Sequence, residues 1–430
     1  MRKLSKSRLL AYRQCSKRLW LEVHQPELKN DSAASLSRFE TGSEVGQKAR
    51  ELYDPEGKGR VFDPTTEGFD AVVNQTRGLL SISRPIFEGG FTEMGTLVFA
   101  DVLLPIVNDR ILSWRIIEVK SSTSIKPYHL DDAAVQAYVA ETAGARIDSV
   151  AVAHVNKDWV YQGDGGFNGF FVEADVTNSV RAKFYDVERW IGEASEILKS
   201  PSPPRKSIGA HCKAPFECGF YDHCSSSVKK AEYPVSWLPG KLKAELADKM
   251  SDLNALDMRE VSEGLLSEKQ RRVRGATITG QAFFDRAEAQ KTLAQYTLPA
   301  YFLDFETISL AVPRWSGVRP YQAIPFQFSV HCLSSPSSLH HHAFLDLSGS
   351  DPSEKLIEAL IAACGNAGPV YVYSGFEKTC ISQLATRFPL KAITLNKLID
   401  RLVDLLPVAK AHYYHPAQRG SWSIKNVLPS

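Results

Sequence analysis

From Leu97 to Lys120 the chain reads LVFADVLLPIVNDRILSWRIIEVK, two apolar runs around a polar Asn108-Asp109-Arg110. Runs of this length with a turn signal between them predict adjacent strands, over 97–104 and 111–120, joined as a hairpin. Upstream, Leu9, Leu10, Leu19, Trp20 and Leu21 predict a helix over 5–23, capped by Ser5 or Ser7. Leu36, Phe39, Val45, Ala49 and Leu52 predict a second helix over 34–53, and a third is expected over 66–82. A strand near 84–88 precedes the hairpin. A helix over 128–143 and a strand over 149–155 (SVAVAHV) follow it. Asp175 then caps an amphipathic helix that runs to about Ser200, with Val187, Trp190, Ile191 and Ala194 on its apolar side. Residues 226–298 read as helical and charged, with Leu242 and Leu246, Leu253 and Leu256, and the basic run 269–274. At Tyr301 an apolar strand begins again.

Charges interrupt the apolar runs of the hairpin, Asp101 in the first and Glu118 and Lys120 in the second. A buried carboxylate without a partner costs several kcal/mol, roughly, so it shifts its pKa, pairs or binds a metal. Glu118 and Lys120 stand two apart and share one face of a strand. Two carboxylates and a lysine converging there suit a divalent cation held by oxygens, with an ammonium beside an attacking water. The alternative is a pair of surface strands in which Glu118 forms a salt bridge with a basic neighbour.

Composition narrows the class. The chain has 430 residues, is 43% hydrophobic and carries a net charge of +2. That length predicts two or three domains, and that charge gives no overall cationic field. No apolar run reaches the roughly 18 residues that span a membrane, and the basic N-terminus lacks a signal-peptide core, so a cytoplasmic protein without a membrane partner is expected. The seven cysteines include a trio, Cys212, Cys218 and Cys224, at C-x5-C-x5-C. Thiols at such regular spacing are ligands more often than buried hydrophobes. Cys15 is the candidate fourth ligand of an iron–sulfur site, and His211 or His223 of a zinc site. Cys332, Cys364 and Cys380 read as ordinary buried thiols.

Asp101 and Glu118-Val119-Lys120 resemble the Asp…Glu-x-Lys signature of PD-(D/E)XK nucleases, and helix, three strands, helix, strand is the minimal core of that fold. Gln136 and Tyr138 resemble the Gln/Tyr motif that follows Glu-x-Lys in RecB-like nucleases, although there the two usually stand four apart. Cys15 plus the trio resembles the iron–sulfur RecB-like nucleases, among them the CRISPR-associated RecB-like and AddB-type enzymes. The resemblance implies a restriction-endonuclease-like core with helical additions over 1–225, stapled by a [4Fe–4S] cluster on Cys15, Cys212, Cys218 and Cys224, with zinc as the alternative. It implies Mg²⁺ or Mn²⁺ on Asp101, Glu118 and the Val119 carbonyl. It also makes Lys120 and Gln136 catalytic, with DNA, single-stranded or at duplex ends, as substrate. The family's upstream metal-binding His falls at Gly46, in Gly42-Ser-Glu-Val-Gly46. Glu88 is a possible substitute, but an exposed acid at a strand end is the expectation for it.

Beyond a connecting region at 226–298, Tyr301-Phe-Leu-Asp304-Phe-Glu306-Thr307 resembles the first motif of DnaQ-like 3′–5′ exonucleases. Asp304 and Glu306 would be metal ligands there, Tyr373-Ser-Gly-Phe376-Glu377 resembles a second motif, and Asp404 is a further acid of open role. A partial RNase H-like α/β domain is therefore expected over 299–430. Its third motif is absent, and the phrase at 420–430 continues further in the bacterial proteins this chain resembles, so the chain is expected to be cut short. The sequence predicts a metal-dependent nuclease acting in repair, recombination or defence. Two alternatives stay open: a catalytically inactive nucleic-acid-binding or assembly protein, and an exonuclease working through the second domain.

Overall fold

In the computed structural model, residues 4–30, 33–226, 230–244, 246 and 256–430 are described, without the side chains of 33–39. Leu36, Phe39 and Leu253, named above for their apolar positions, lie outside that set. The chain is mixed α/β and divides into two compact units. One comprises Met1–Ser227 with Leu310–Tyr321, the other Val228–Ser309 with Gln322–Ser430.

The first unit is built on a seven-stranded sheet of β1 (Leu4–Ser5), β2 (Arg60–Val61), β3 (Ile86–Glu93), β4 (Thr96–Asn108), β5 (Ile111–Lys120), β6 (Ile147–Val155) and β7 (Phe171–Asp175). Their order is β2-β3-β4-β5-β6-β7, with β1 parallel to the start of β4. The hairpin forms with β5 at the expected bounds and β4 longer than its apolar run suggested. β4 and β5 pair from Val102↔Ile117 to Asn108↔Ile111, and Asp109 and Arg110 turn the chain with φ of 49° and 64°. Two consecutive positive φ values match a type I′ turn, whose twist suits that of the strands. β5 and β6 run parallel. Their apolar runs barely alternate because both faces are covered: Ile116, Val150 and Val152 enter one core, Ile117, Ala151 and Ala153 another.

The helices of this unit are α1 (Lys6–Gln14), α2 (Ser16–His24), α3 (Ala33–Tyr53), α4 (Pro64–Glu67), α5 (Phe69–Leu79), α6 (Pro127–Thr142), α7 (Thr177–Arg181), α8 (Phe184–Lys199) and α9 (Tyr221–Ser225). The single helix expected over 5–23 is instead two, broken at Cys15, whose backbone is extended at φ −162°, ψ 123°. No Gly or Pro marks the break. The Cys15 N–H still reaches Ala11 O and its carbonyl still accepts from Leu19 N, so both backbone groups of Cys15 are paired. The cause is tertiary: the Gln14 amide donates to the carbonyls of His211 and Phe216, both at 2.7 Å. A Cβ at Gly42 or Gly46 would meet nothing within 4 Å, so no close packing calls for glycine at either position.

In the second unit β9 (Ala300–Ser309), β10 (Ala323–Ser335), β11 (Ser338–Leu345), β12 (Val370–Val372) and β13 (Leu402–Asp404) form a sheet of order β11-β10-β9-β12-β13. β8 (Phe283–Phe284) and β14 (Tyr413–Tyr414) form a separate pair. Among the described residues of the segment expected as a helical connection, three short 3-10 turns at Val235–Trp237, Met258–Glu260 and Glu263–Leu265 precede the helices Glu268–Thr279 and Arg286–Leu293. Its apolar residues form a core with the C-terminal Tyr414 and Trp422. Among the described residues no helix is long and apolar enough to cross a membrane.

Candidate functional site

Strand β5 delivers Glu118 and Lys120 on one face, and β4 delivers Asp101 beside them. The Val119 N–H donates to Asp101 Oδ2 at 2.8 Å, which fixes that carboxylate against the Glu-x-Lys segment. Glu118 is 1% exposed. Helix α6 lies over it and places Gln136, fully buried, so that its Nε2 donates to Glu118 Oε2. The oxygen of that amide, Oε1, is buried without a partner. The residues predicted from the sequence, Asp101, Glu118, Lys120 and Gln136, thus come together. Tyr138 does not join them: two positions on from Gln136 it faces away from the site, its ring against Phe184 and its hydroxyl 3.6 Å from Met94 Sδ.

The structure adds residues that the sequence reading missed. Asp132, one turn before Gln136 on α6, is 5% exposed and ion-paired to Lys120. Lys6 enters from the first turn of α1, its Nζ 3.3 Å from Glu118 Oε1 and 3.2 Å from Asp132 Oδ1. Lys120 also bonds Glu118 Oε1, so two ammoniums and two carboxylates alternate in a closed ring. Glu88 is a correction to the expectation of an exposed strand-end acid. It is half-buried inside β3, at φ 55°, between the pairs Phe87↔Val102 and Gly89↔Ala100, which sets it opposite Asp101.

Burial and crowding set the charges. Burial, then the Asp101 and Asp132 carboxylates, push Glu118 up to about 8 against the pull of Lys120 and Lys6. Burial also raises Asp101 and Glu88. Asp132 goes the other way: burial opposes its ionisation, but Lys6 and Lys120 together hold it well below the carboxylate range. Both lysines stay charged, since the carboxylates outweigh the burial that would discharge them.

The four candidate cluster cysteines form no disulfide and line one cavity of about 20 Å³. Cys15 arrives from the α1–α2 break, and Cys212, Cys218 and Cys224 from the segment after α8. Lys17, Arg18 and Lys206 line the same cavity and would offset thiolate charge. Leu21, Trp20, Cys218 and Phe220 form a small core beside it. His211 also lines the cavity, with Nε2 3.6 Å from Cys212 Sγ.

In the second unit, Asp304 and Glu306 stand exposed on one face of β9, as Asp-x-Glu on a strand requires. Glu377, near the start of the helix Phe376–Arg387, is 4% exposed and its Oε2 has no partner. Burial, then Asp304 and Asp404, raise its pKa, so these three acids feel one another. Asp404 caps the helix after β13, accepting from Leu406 N at 2.9 Å, and also accepts from Ser374 N at 3.0 Å.

Among the described residues, no three His, Cys, Asp or Glu side chains stand in a set that holds a metal ion as they are. At Glu118 the reason is visible: Lys6, Lys120 and Gln136 already occupy both carboxylate oxygens. The donor set still suits a hard divalent cation. It has an excess of buried carboxylates over ammoniums and an orphaned amide oxygen, and such buried atoms call for a partner. Four thiols outside any disulfide around one cavity likewise suit a thiolate-bound metal or cluster.

A family described as "Domain of unknown function (DUF2779)" matches residues 301–423, the region that holds Asp304, Glu377 and Asp404. No curated protein matches the chain.

Proposed function

We propose that the chain is a metal-dependent nuclease of the RecB-like, PD-(D/E)XK type that hydrolyses DNA phosphodiester bonds. The observation that carries the reading is the buried meeting of Asp101, Glu118, Lys120 and Gln136 at the junction of β4, β5 and α6. The succession α5, β3, β4, β5, α6, β6 supports it as well. Asp101, Glu118 and the Val119 carbonyl would hold Mg²⁺ or Mn²⁺. A divalent ion there supplies an acidified water and screens the phosphate. Lys120 orients that water and stabilises charge developing on the phosphate, while Gln136 fixes Glu118. Cys15, Cys212, Cys218 and Cys224 bind a structural [4Fe–4S] cluster, or zinc, that ties the N-terminal helices to the segment after α8.

A second reading, a 3′–5′ exonuclease in an RNase H-like second unit, is favoured by the buried Glu377 carboxylate, whose Oε2 has no partner and which feels the charges of Asp304 and Asp404. One experiment separates the readings. Cleavage of labelled single-stranded and duplex DNA is measured with Mg²⁺ or Mn²⁺ for the wild type, Glu118→Ala and Asp304→Ala. The nuclease reading expects Glu118→Ala to lose at least about a hundredfold in rate while Asp304→Ala keeps it. The reverse pattern transfers the activity to the second unit. DNA binding that needs no divalent ion and never leads to cleavage identifies a binding protein instead.

A further inference from the structure

Lys6 lies outside every motif read from the sequence, yet it is built into the Glu118 site from two directions. Leu4 and Ser5 pair with Thr96 and Leu97 of β4, and Leu4, 3% exposed, donates its N–H to Gly95 O at 3.1 Å. Ser5 then caps α1 by accepting from Arg8 N, so Lys6 begins the helix at a fixed point. A lysine in a first helical turn ordinarily points to water, because the N-terminal end of the helix dipole repels it. Here its ammonium is turned inward onto Glu118 and Asp132 instead.

The geometry points to Lys6 as a positioning residue that holds Glu118 and Asp132 while no metal is bound and competes with the divalent ion for Glu118. This rests on the nuclease reading above. Glu118 has no free oxygen: Oε1 is shared by Lys6 and Lys120, and Oε2 takes the Gln136 amide. A cation that binds this carboxylate must displace one of them. Lys120 is fixed on the same strand face as Glu118 and makes the shorter contacts to both acids. Lys6 sits at 3.3 and 3.2 Å at the end of a flexible four-carbon stem, with its side chain 22% exposed. Lys6 is therefore the partner that yields. Its charge stabilises the metal-free site against the repulsion among Glu88, Asp101, Glu118 and Asp132, and opposes the incoming ion by the same Coulomb attraction.

Mn²⁺ titrations of the full chain by calorimetry, compared among wild type, Lys6→Met, Lys6→Arg and Glu118→Ala, test this without reference to turnover. Lys6→Met is expected to bind at the Glu118-dependent site about tenfold more tightly than wild type. Lys6→Arg, which keeps the charge, stays near the wild-type affinity. The metal-free Lys6→Met protein melts at a lower temperature than wild type and recovers more of the loss with Mn²⁺. A lysine that serves only to hold the fold would weaken metal binding on removal. Unchanged or weaker Mn²⁺ binding by Lys6→Met, with binding still dependent on Glu118, overturns the role of Lys6 and leaves the site standing. A wild-type protein with no Glu118-dependent Mn²⁺ site overturns the nuclease reading, and this inference with it.

Discussion

His129 shows how a single side chain near the site converts burial into pH dependence. It is 3% exposed, one turn before Asp132 on α6, and its Nδ1 accepts the Lys126 N–H at 3.1 Å. That bond requires an unprotonated Nδ1. Burial, then the Lys120 charge, push the ring down to about 4. The unfolded chain protonates His129 near its ordinary value of about 6.5, before the folded protein does. The stabilisation is therefore complete above about 6.5 and is lost as the pH falls toward 4, roughly 2–3 kcal/mol in all. Urea titrations from pH 7 to 4 should show that slope in the wild type and a shallower one in His129→Gln, which keeps an acceptor but does not titrate. Parallel slopes in the two proteins would remove His129 from the account. Little of this was visible in the sequence. Asp101, Glu118 and Lys120 stood out because charges interrupt apolar runs. Lys6 is one of several basic residues near the N-terminus, and Asp132 one polar residue of the helix expected over 128–143. Their meaning comes from three elements converging, and no local pattern records that.

At the scale of elements, legibility follows the range of the forces involved. The β4–β5 hairpin was readable because its apolar runs and its turn are local, and only the ends of β4 were missed. The break at Cys15 was not readable. Residues 5–23 have helix-compatible composition throughout, and the break answers to Gln14 reaching the carbonyls of His211 and Phe216, far along the chain. The same break brings Cys15 to the cavity of the trio, so a grouping proposed from the order of cysteines in sequence acquires a spatial counterpart. The hairpin also carries a quantitative expectation. Arg110 holds φ 64° in the second position of its turn, a conformation that disfavours a Cβ. Arg110→Gly should therefore stabilise the chain by about 0.5–1 kcal/mol, read as a rise in the denaturant midpoint at unchanged m-value. A fall in the midpoint would mean that the guanidinium contributes more than the turn strain costs.

For the whole molecule, the least expected feature is that the first unit is not continuous in sequence. The chain leaves β9 at Ser309, spends residues 310–321 in the first unit, and begins β10 at Ala323. A boundary drawn from composition could not find this, because the segment is short and its partners lie far away in sequence. Within the first unit, Ala311 and Val312 are buried against Val45, Val155, Phe167 and Phe170. The Gly317 N–H donates to Tyr161 O at 2.8 Å, and Tyr161 N donates to Val318 O at 3.0 Å. The Tyr321 hydroxyl donates to the carbonyl of Ser121, the residue after Lys120. The segment thus closes an apolar face and ends on the backbone next to the proposed catalytic lysine. Val312 is 4% exposed. Val312→Asp in the full chain buries a carboxylate among aromatic and aliphatic side chains and should cost about 3 kcal/mol. If the segment belongs to the fold of the first unit, amide exchange quickens over 155–171 and at 121–122, where Val155 N donates to Ser122 O. Exchange that changes only within 310–321 would mean that the segment lies on the first unit without stabilising it, and that the unit is complete at 227.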